Sequence, residues 1–520
     1  MLTSHSALQS RSLRPSRQAL LREARDRLRT RVLASIDARG AIWGRCRGRV
    51  LESALLLCLL RRRGTHARIR ESLVDFLHSA DTAMLDPFSA TLRQAALDVG
   101  VTTEASGPSE DHLPGFEHFT AGRKRVLFSV VLGVVRGRMP ELGLTREDFA
   151  VDTRHQSWTV RMMQALEVLY LVGRGRHSEV EASSVSSLVA MTVSTPVGLW
   201  EQYVLGQLIA LLAMAELPEM SLRVERGVES VIEHRDSDGG IPFITRMDVF
   251  VTATSGLALR EMVDAPRALR PLGDFINRRQ QSDGGWAFAL GVTQTDVDDT
   301  SYCMQLLRSL DPDRYRTAID RGERYLVDIQ NDDGGFPTFA PEGCSEVTMT
   351  AAGVNALAPG GARWARAVER GRDYLMRFQR PDGTFERSWS GAHANAIVRV
   401  LRALRGTDGG RAERSLRVER RAMAYLTRAQ NPDGGWGQQL TDASDPISTA
   451  YSLLALVDAD RDVAREVERG VEYLLSEQRS HGGFDSPRPD SLGPRPLAYD
   501  VPALTDAFVL MALGRVCRRR

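Results

Sequence analysis

The chain has 520 residues, enough for two or three domains, and its net charge of +2 gives no basic excess that would attract nucleic acid. Its five cysteines are scattered without a Cys-x-x-Cys pair, which argues for a reducing compartment and against a structural zinc site. The longest apolar run, ALLLCLL at 54–60, is too short to cross a bilayer, and the N-terminus lacks a signal-peptide pattern. We expect a cytoplasmic protein with no transmembrane segment and no nucleic-acid partner.

Residues 1–195 are predicted to form a helical domain. Apolar helical stretches such as RKRVLFSVVLGVVRG and VRMMQALEVLYLV alternate with breaks at SGPSEDHLPG and ASSVSSL. The first ~40 residues are left free in this prediction to pack on the second domain.

A repeat of roughly 50 residues fills 196–520 and is typical of a repeat architecture. Each copy has an amphipathic helix, a Gln, a Gly-rich turn with an aromatic residue, and then a more apolar helix, as in YLTRAQNPDGGWGQQ followed by STAYSLLALV. A degenerate first copy begins at Val228, which makes six pairs of helices. Six pairs favour two concentric rings, an all-α α6/α6 double barrel with the apolar helices inside, over an open solenoid.

The second copy carries an acid cluster, TQTDVDDTSYC at 293–303, with no Lys or Arg inside it. Asp296, Asp298 and Asp299 stand where an inner helix begins, and one acid at that position is a favourable N-cap. Three like charges repel one another, and with burial this raises the pKa of at least one of them. The residues alone therefore leave two interpretations open, a helix cap or a general acid.

The Asp-x-Asp-Asp-Thr element at 296–300, together with the Gln-x-x-x-Gly-Gly-Trp turns, resembles the class II terpene cyclases of the squalene–hopene cyclase superfamily. The stretch DGGIPFITRMDVFV, from Asp238, is similar to the branch that retains a diphosphate, which includes the copalyl- and drimenyl-diphosphate synthases. The resemblance implies a barrel (β) domain with a γ-like helical domain, and a cytoplasmic isomerase of bacterial secondary metabolism.

The same resemblance implies that Asp298 protonates the terminal alkene of farnesyl or geranylgeranyl diphosphate, with Asp296 and Asp299 orienting it. The product would be a bicyclic drimane- or labdane-type diphosphate. Mg²⁺ is implied as cofactor, with unknown ligands, and a homodimer is one expected assembly.

Other residues receive two interpretations each. His393 and Asn395 are candidates for an acid partner or terminal base, although a histidine at that place more often caps or packs. Arg123, Lys124 and Arg125 form either a solvated helix face or a diphosphate anchor.

Two departures put the product in doubt. The inner helix EVTMTAAGVNAL lacks the histidine that bacterial relatives often have, and RSWSGAHANAI lacks their paired tyrosines. Two rival interpretations of the whole chain also stay open, a cyclase of uncharged triterpene or meroterpenoid polyenes and a non-catalytic α/α-barrel scaffold.

Overall fold

A computed structural model describes residues 15–98, 121–151, 157–193, 198–262, 266–339, 343–459 and 463–518. The described residues are mostly helical, with four strands of two residues each. The helices of the first half are α1 Pro15–Ala34, α2 Val50–Arg63, α3 Ala67–Ser79, α4 Pro87–Leu97, α5 Ala121–Val135, α6 Arg146–Phe149, α7 Ser157–Gly173, α8 Ala182–Met191, α9 Val204–Met214 and α10 Ser221–Ile232. Those of the second half are α11 Asp248–Arg260, α12 Arg270–Asn277, α13 Val297–Leu310, α14 Arg316–Ile329, α15 Val347–Leu357, α16 Ala365–Arg377, α17 His393–Ala403, α18 Gly410–Ala429, α19 Pro446–Asp458, α20 Ala464–Glu477 and α21 Pro502–Arg518.

The inner helices form a closed ring. Helices α11, α13, α15, α17, α19 and α21 each contact the next, and α21 contacts α11. Their apolar sequences are buried nearly all round, as expected for helices surrounded by others. The predicted all-α barrel is therefore confirmed.

The outer ring is completed by the N-terminus. Helices α12, α14, α16, α18 and α20 lie outside the inner ring, and α1 packs against α20 and α21 in the sixth place. The glutamine of each turn donates to a carbonyl of the next outer helix: Gln430 Nε2 binds Glu466 O at 2.9 Å, and Gln478 Nε2 binds Ala24 O at 2.8 Å. Helix α1 thus takes the role that an outer helix plays elsewhere.

The Gly-rich turns need their glycines for two reasons. Gly284 has φ +94°, and a Cβ there would lie 2.7 Å from Arg321 O on the next outer helix. The aromatic residues that follow the turns are buried, and Trp286 Nε1 donates to Ile276 O at 2.8 Å. These aromatic side chains brace the barrel.

The remaining helices pack in a second group. Helix α10, expected to be the outer helix of the first repeat, packs instead against α9, which contacts α2, α7 and α8. Its copy of the repeat lacks the glutamine that ties a turn to the next outer helix. These contacts favour a group that runs from α2 to α10, and the boundary near residue 195 stays a prediction.

The described residues also form two small antiparallel sheets of two strands each. Strand β1 (Gly48–Arg49) pairs antiparallel with β2 (Ile241–Pro242), which joins the start of α2 to the segment before α11. Strands β3 (Ser491–Leu492) and β4 (Ala498–Tyr499) form a hairpin that precedes α21. We call residues 485–500 the α20–α21 hairpin segment.

Candidate active site

The first acid of the cluster has a role that the repeat itself explains. Asp296 is the N-cap of α13, and its Oδ1 accepts a 2.7 Å hydrogen bond from the Asp299 amide. Glu346 and Asp445 hold the same position before α15 and α19, because all three backbone amides donate to the carbonyl of the turn aromatic, at 3.1, 2.9 and 3.0 Å. An acid at this position is therefore a pattern shared by three inner helices, α13, α15 and α19, whereas α11 and α17 follow Met247 and Ala392.

Asp298 and Asp299 are carboxyl groups that this shared pattern does not include. In the copy that begins with Glu346 the corresponding residues are Thr348 and Met349. Capping accounts for neither of the two extra carboxyl groups, and both line a cavity at the mouth of the barrel.

Asp296 and Asp299 form a buried carboxyl pair, with 7% and 3% of their surfaces exposed. Burial raises the pKa of Asp296 to about 6. Burial and the neighbouring Asp296 raise the pKa of Asp299 well above its usual value, and the two carboxyl groups hydrogen-bond each other. The pair therefore keeps a proton near neutral pH, mainly on Asp299.

Asp298 is held by an arginine. Arg399 Nη1 donates to Asp298 Oδ1 at 2.5 Å, and the two side chains are 11% and 16% exposed. Burial opposes the charge of Arg399, but the Asp298 carboxylate outweighs it and raises the pKa of the guanidinium. Oδ2 of Asp298 has no hydrogen bond from any described residue, and the side chain lines the cavity.

Arg399 was missed from the sequence. It lies on α17 in the run NAIVRVLRAL. A charged residue among the apolar residues of an inner helix is the feature of the sequence that could have pointed to it. Its guanidinium also lies over the ring of Tyr302, 5.1 Å from the centroid. The position next to the acid that His393 was expected to fill is occupied by Arg399.

His393 and Asn395 are placed differently. The His393 ring packs against Tyr425 with centroids 5.7 Å apart, and burial lowers its pKa to about 4. No hydrogen bond joins His393 to Asp298 among the described residues, and its proposed role stays a prediction. Asn395 does line the cavity, next to Tyr451, with which it forms a side-chain hydrogen bond.

A second group of charges in the cavity is basic. Arg123 and Lys124 of α5 line the cavity, whereas Arg125 is exposed. Burial and the neighbouring Arg495, Arg123 and Arg49 lower the pKa of Lys124 to about 7. Arg123 Nη1 is buried without a hydrogen-bond partner in the part of the chain that the structure describes.

The sequence analysis also missed Arg495, on the α20–α21 hairpin segment. Its Nη1 donates to Glu346 Oε2 at 2.7 Å, and its guanidinium lies 4.7 Å from the Trp389 ring centroid. Arg495 and Lys124 come from distant parts of the sequence, so their proximity follows only from the fold.

Aromatic side chains form the wall between the two groups of charges. Tyr499 lines the cavity, and its ring packs against Phe243 with centroids 5.0 Å apart. Rings of Trp158, Tyr203, Phe243, Phe339 and Trp389 meet edge to face along the wall, with centroids 5.3–5.9 Å apart. Phe250, Tyr451 and Phe508 form a similar cluster beside Tyr302. The cavity has a volume of about 370 Å³, in the range of small-molecule sites.

The fold and the site together define an α/α-barrel protein with a buried carboxyl pair facing an aromatic cavity. The squalene-hopene cyclase C-terminal domain matches residues 343–518. The drimenyl diphosphate synthase of Streptomyces showdoensis is 42% identical over 84% of both chains, and that of Streptantibioticus cattleyicolor is 39% identical over 85% of both. The chain therefore belongs to the class II terpene cyclases of the squalene–hopene cyclase superfamily.

A solved structure shows the same fold over nearly the whole chain. The ent-copalyl diphosphate synthase from Streptomyces platensis superposes with a TM-score of 0.57 at 18% identity, covering 96% of this chain and 99% of its own. In the described residues, no helix is both long and apolar enough to cross a membrane.

Proposed function

We propose that this enzyme cyclises a linear prenyl diphosphate to a bicyclic drimane-type diphosphate and leaves the diphosphate in place. The observation that carries the proposal is one cavity lined by the buried carboxyl groups of Asp296 and Asp299 and also by Arg123 and Lys124, which have no acidic partner among the described residues. Farnesyl diphosphate is the favoured substrate over geranylgeranyl diphosphate, because the two relatives reported above are drimenyl diphosphate synthases and drimane is a C15 skeleton.

Protonation of the terminal alkene starts the reaction, with Asp298 as the proposed donor. Its Oδ2 is free of described hydrogen bonds and opens to the cavity, so a proton there reaches an alkene. The Arg399 guanidinium then stabilises the carboxylate that remains. The neighbouring Asp296 and Asp299 are proposed to orient and polarise Asp298.

The aromatic wall would carry the positive charge as the rings close. Faces of tyrosine, tryptophan and phenylalanine attract cations by about 0.5–2 kcal/mol each. The wall also keeps water from the cation, because most of the lining between the two groups of charges is apolar or aromatic.

The diphosphate would be held by Arg123, Lys124 and Arg495. Lys124 and Arg123 are buried cations without an acidic partner in the described chain, and a multiply charged anion would compensate them. An uncharged polyene would leave these charges unmatched, which disfavours the triterpene and meroterpenoid alternative. Arg125 is exposed and would contribute only to the field around the entrance.

Mg²⁺ and a homodimer stay predictions. Among the described residues, no group of three or more His, Cys, Asp or Glu side chains is placed to hold a metal ion, and Mg²⁺ bound to a diphosphate commonly needs only one or two protein carboxylates. Independently of Mg²⁺, we propose the basic side chains that line the cavity as partners of the diphosphate.

The test offers the purified enzyme farnesyl diphosphate, geranylgeranyl diphosphate and squalene separately, with and without Mg²⁺. Products are identified by mass spectrometry before and after phosphatase treatment. The proposal requires a bicyclic C15 alcohol that is seen only after phosphatase. Turnover of squalene alone would refute it, and turnover of geranylgeranyl diphosphate alone would replace the drimane by the labdane product.

A further inference from the structure

The cavity contains a carboxyl group that the start of the reaction does not use. Asp490 lies on the α20–α21 hairpin segment, is 7% exposed and lines the cavity. Its Oδ1 accepts hydrogen bonds from Ser390 Oγ at 2.8 Å and from the Ala392 amide at 3.1 Å. Its Oδ2 accepts only a long bond, 3.3 Å, from the Tyr451 hydroxyl among the described residues.

Other carboxyl groups in the cavity wall are committed elsewhere. Both oxygens of Glu201 accept from Thr293. Glu346 accepts from Thr338 on Oε1 and from Ser388 and Arg495 on Oε2, and although burial acts against it, Arg495 keeps the pKa of Glu346 below its usual value. Asp296, Asp298 and Asp299 form the acid cluster, which leaves Asp490 as the carboxyl group with a lightly engaged oxygen.

The position of Asp490 suits the end of the reaction. Arg399, which binds Asp298, also interacts electrostatically with Asp490, so both carboxyl groups lie in the field of one guanidinium. Contacts between side chains also connect the two carboxyl groups: Tyr451, which donates to Asp490 Oδ2, packs against Phe508. The Phe508 ring meets Tyr302, which lies under the Arg399 guanidinium that binds Asp298. Glu346 is instead bound to Arg495, among the cations proposed for the diphosphate. Burial raises the pKa of Asp490, which makes its carboxylate a better proton acceptor than Glu346.

We infer that Asp490 is the base that ends the cyclisation, an assignment that rests on the function proposed above. A C–H bond next to the tertiary cationic carbon breaks, its electron pair forms the new C=C bond, and the proton moves to Oδ2 of Asp490. One proton enters from Asp298 and one leaves to Asp490, so the conversion is a balanced isomerisation. The Tyr451 hydroxyl and Ser390 hold the carboxylate toward the cavity.

The experiment compares Asp490→Asn and Asp490→Glu with wild type on farnesyl diphosphate. Asparagine keeps the size of the side chain and removes the proton acceptor, and glutamate keeps the acceptor but moves it. We expect Asp490→Asn to consume substrate within about tenfold of wild type while the principal alkene falls at least about fivefold relative to other alkenes and water-captured alcohols. Asp490→Glu should recover more of the principal alkene than Asp490→Asn does.

The matched control is Asp485→Asn, in the same segment but exposed, which should leave the product mixture unchanged. An Asp490→Asn mixture identical to that of wild type would overturn the inference. Loss of substrate consumption in both variants with unchanged circular dichroism would also overturn it, since Asp490 would then belong to proton delivery. If Asp490→Asn does not fold, the alkene ratio of Asp490→Glu decides, and an unchanged ratio counts against the inference. Failure of wild type to turn over any prenyl diphosphate would instead refute the proposed function.

Discussion

Arg399 Nη1 lies 2.5 Å from Asp298 Oδ1, so Asp298, the proposed acid, is paired with an arginine of the inner helix two repeats further along the barrel. Both side chains are largely buried, and the Arg399 guanidinium also lies over the Tyr302 ring. A cation next to the departing proton stabilises the carboxylate left behind, and it also fixes which oxygen remains open to the substrate.

Arg399→Met should reduce kcat by roughly tenfold to a hundredfold, because a hydrogen bond to a charged group is worth about 1.5–3 kcal/mol. Arg399→Lys should recover part of the loss, since it keeps the charge but not the planar geometry. Steady-state rates with farnesyl diphosphate measure this. Arg402→Met is the control: Arg402 is a buried arginine one turn away that approaches Asp458 instead, and its loss should lower the melting temperature but spare kcat per folded enzyme. Equal rate losses in Arg399→Met and Arg402→Met would reduce Arg399 to a structural role.

A matched pair of variants distinguishes a role of Asp296 in turnover from its role as an N-cap. Asp296→Asn and Asp445→Asn remove the same charge from the same N-cap position of two inner helices, and asparagine caps as well as aspartate. Melting temperatures should shift alike. Turnover should fall about a hundredfold in Asp296→Asn only, because this group shares the proton with Asp299. Similar activity in the two variants would show that Asp296 serves only as a cap.

The lowered pKa of Lys124 predicts that prenyl diphosphate binding depends on pH. Its pKa, lowered to about 7 from a model-compound value of 10.5, means that the free enzyme loses this charge as pH rises through about 7. The Kd of a non-reactive prenyl diphosphate analogue should therefore rise above that pH in wild type. The dependence should flatten in Lys124→Arg, which stays charged, and in Lys124→Met, which binds weakly throughout. Arg125→Gln, which removes an exposed charge from the same helix, should behave like wild type.

Asp299 predicts a pH dependence of stability. Its folded-state pKa lies well above the unfolded value, so the folded state binds this proton more tightly. The stabilisation is complete below the unfolded pKa and is lost as pH rises through the folded pKa. Asp299→Asn cannot lose a proton, so its melting temperature should rise relative to that of wild type as the pH increases from the unfolded-state pKa towards the folded-state pKa of Asp299. A difference in melting temperature that stays constant with pH would contradict the proton assignment, while the variant should remain severely impaired in turnover.

The sequence predicted what the repeat encodes. The apolar helices and the Gly-rich turns recur from copy to copy, and the acids at the start of α13 stand out within one copy. The local sequence pattern is therefore enough to locate them. Helix α1 was not assigned to the outer ring because it lies some 450 residues from the turn at Gln478 that it completes. Arg399, Arg495 and Asp490 were missed for a similar reason. The first is a single charge in an apolar helix, and the other two lie in a segment outside the repeat and bind residues that are about 100 or more positions away in the sequence.

The central claim, that Asp298 delivers the proton that starts the cyclisation, is tested most directly by the turnover of farnesyl diphosphate by Asp298→Asn. Asparagine keeps the shape and removes the transferable proton, so circular dichroism and melting temperature should remain close to wild type. We predict that formation of the bicyclic diphosphate falls below a few per cent of the wild-type rate, a loss of at least about 2 kcal/mol in transition-state stabilisation. Formation of the same product at a rate close to that of wild type would contradict the account and move the acid to the Asp296–Asp299 pair.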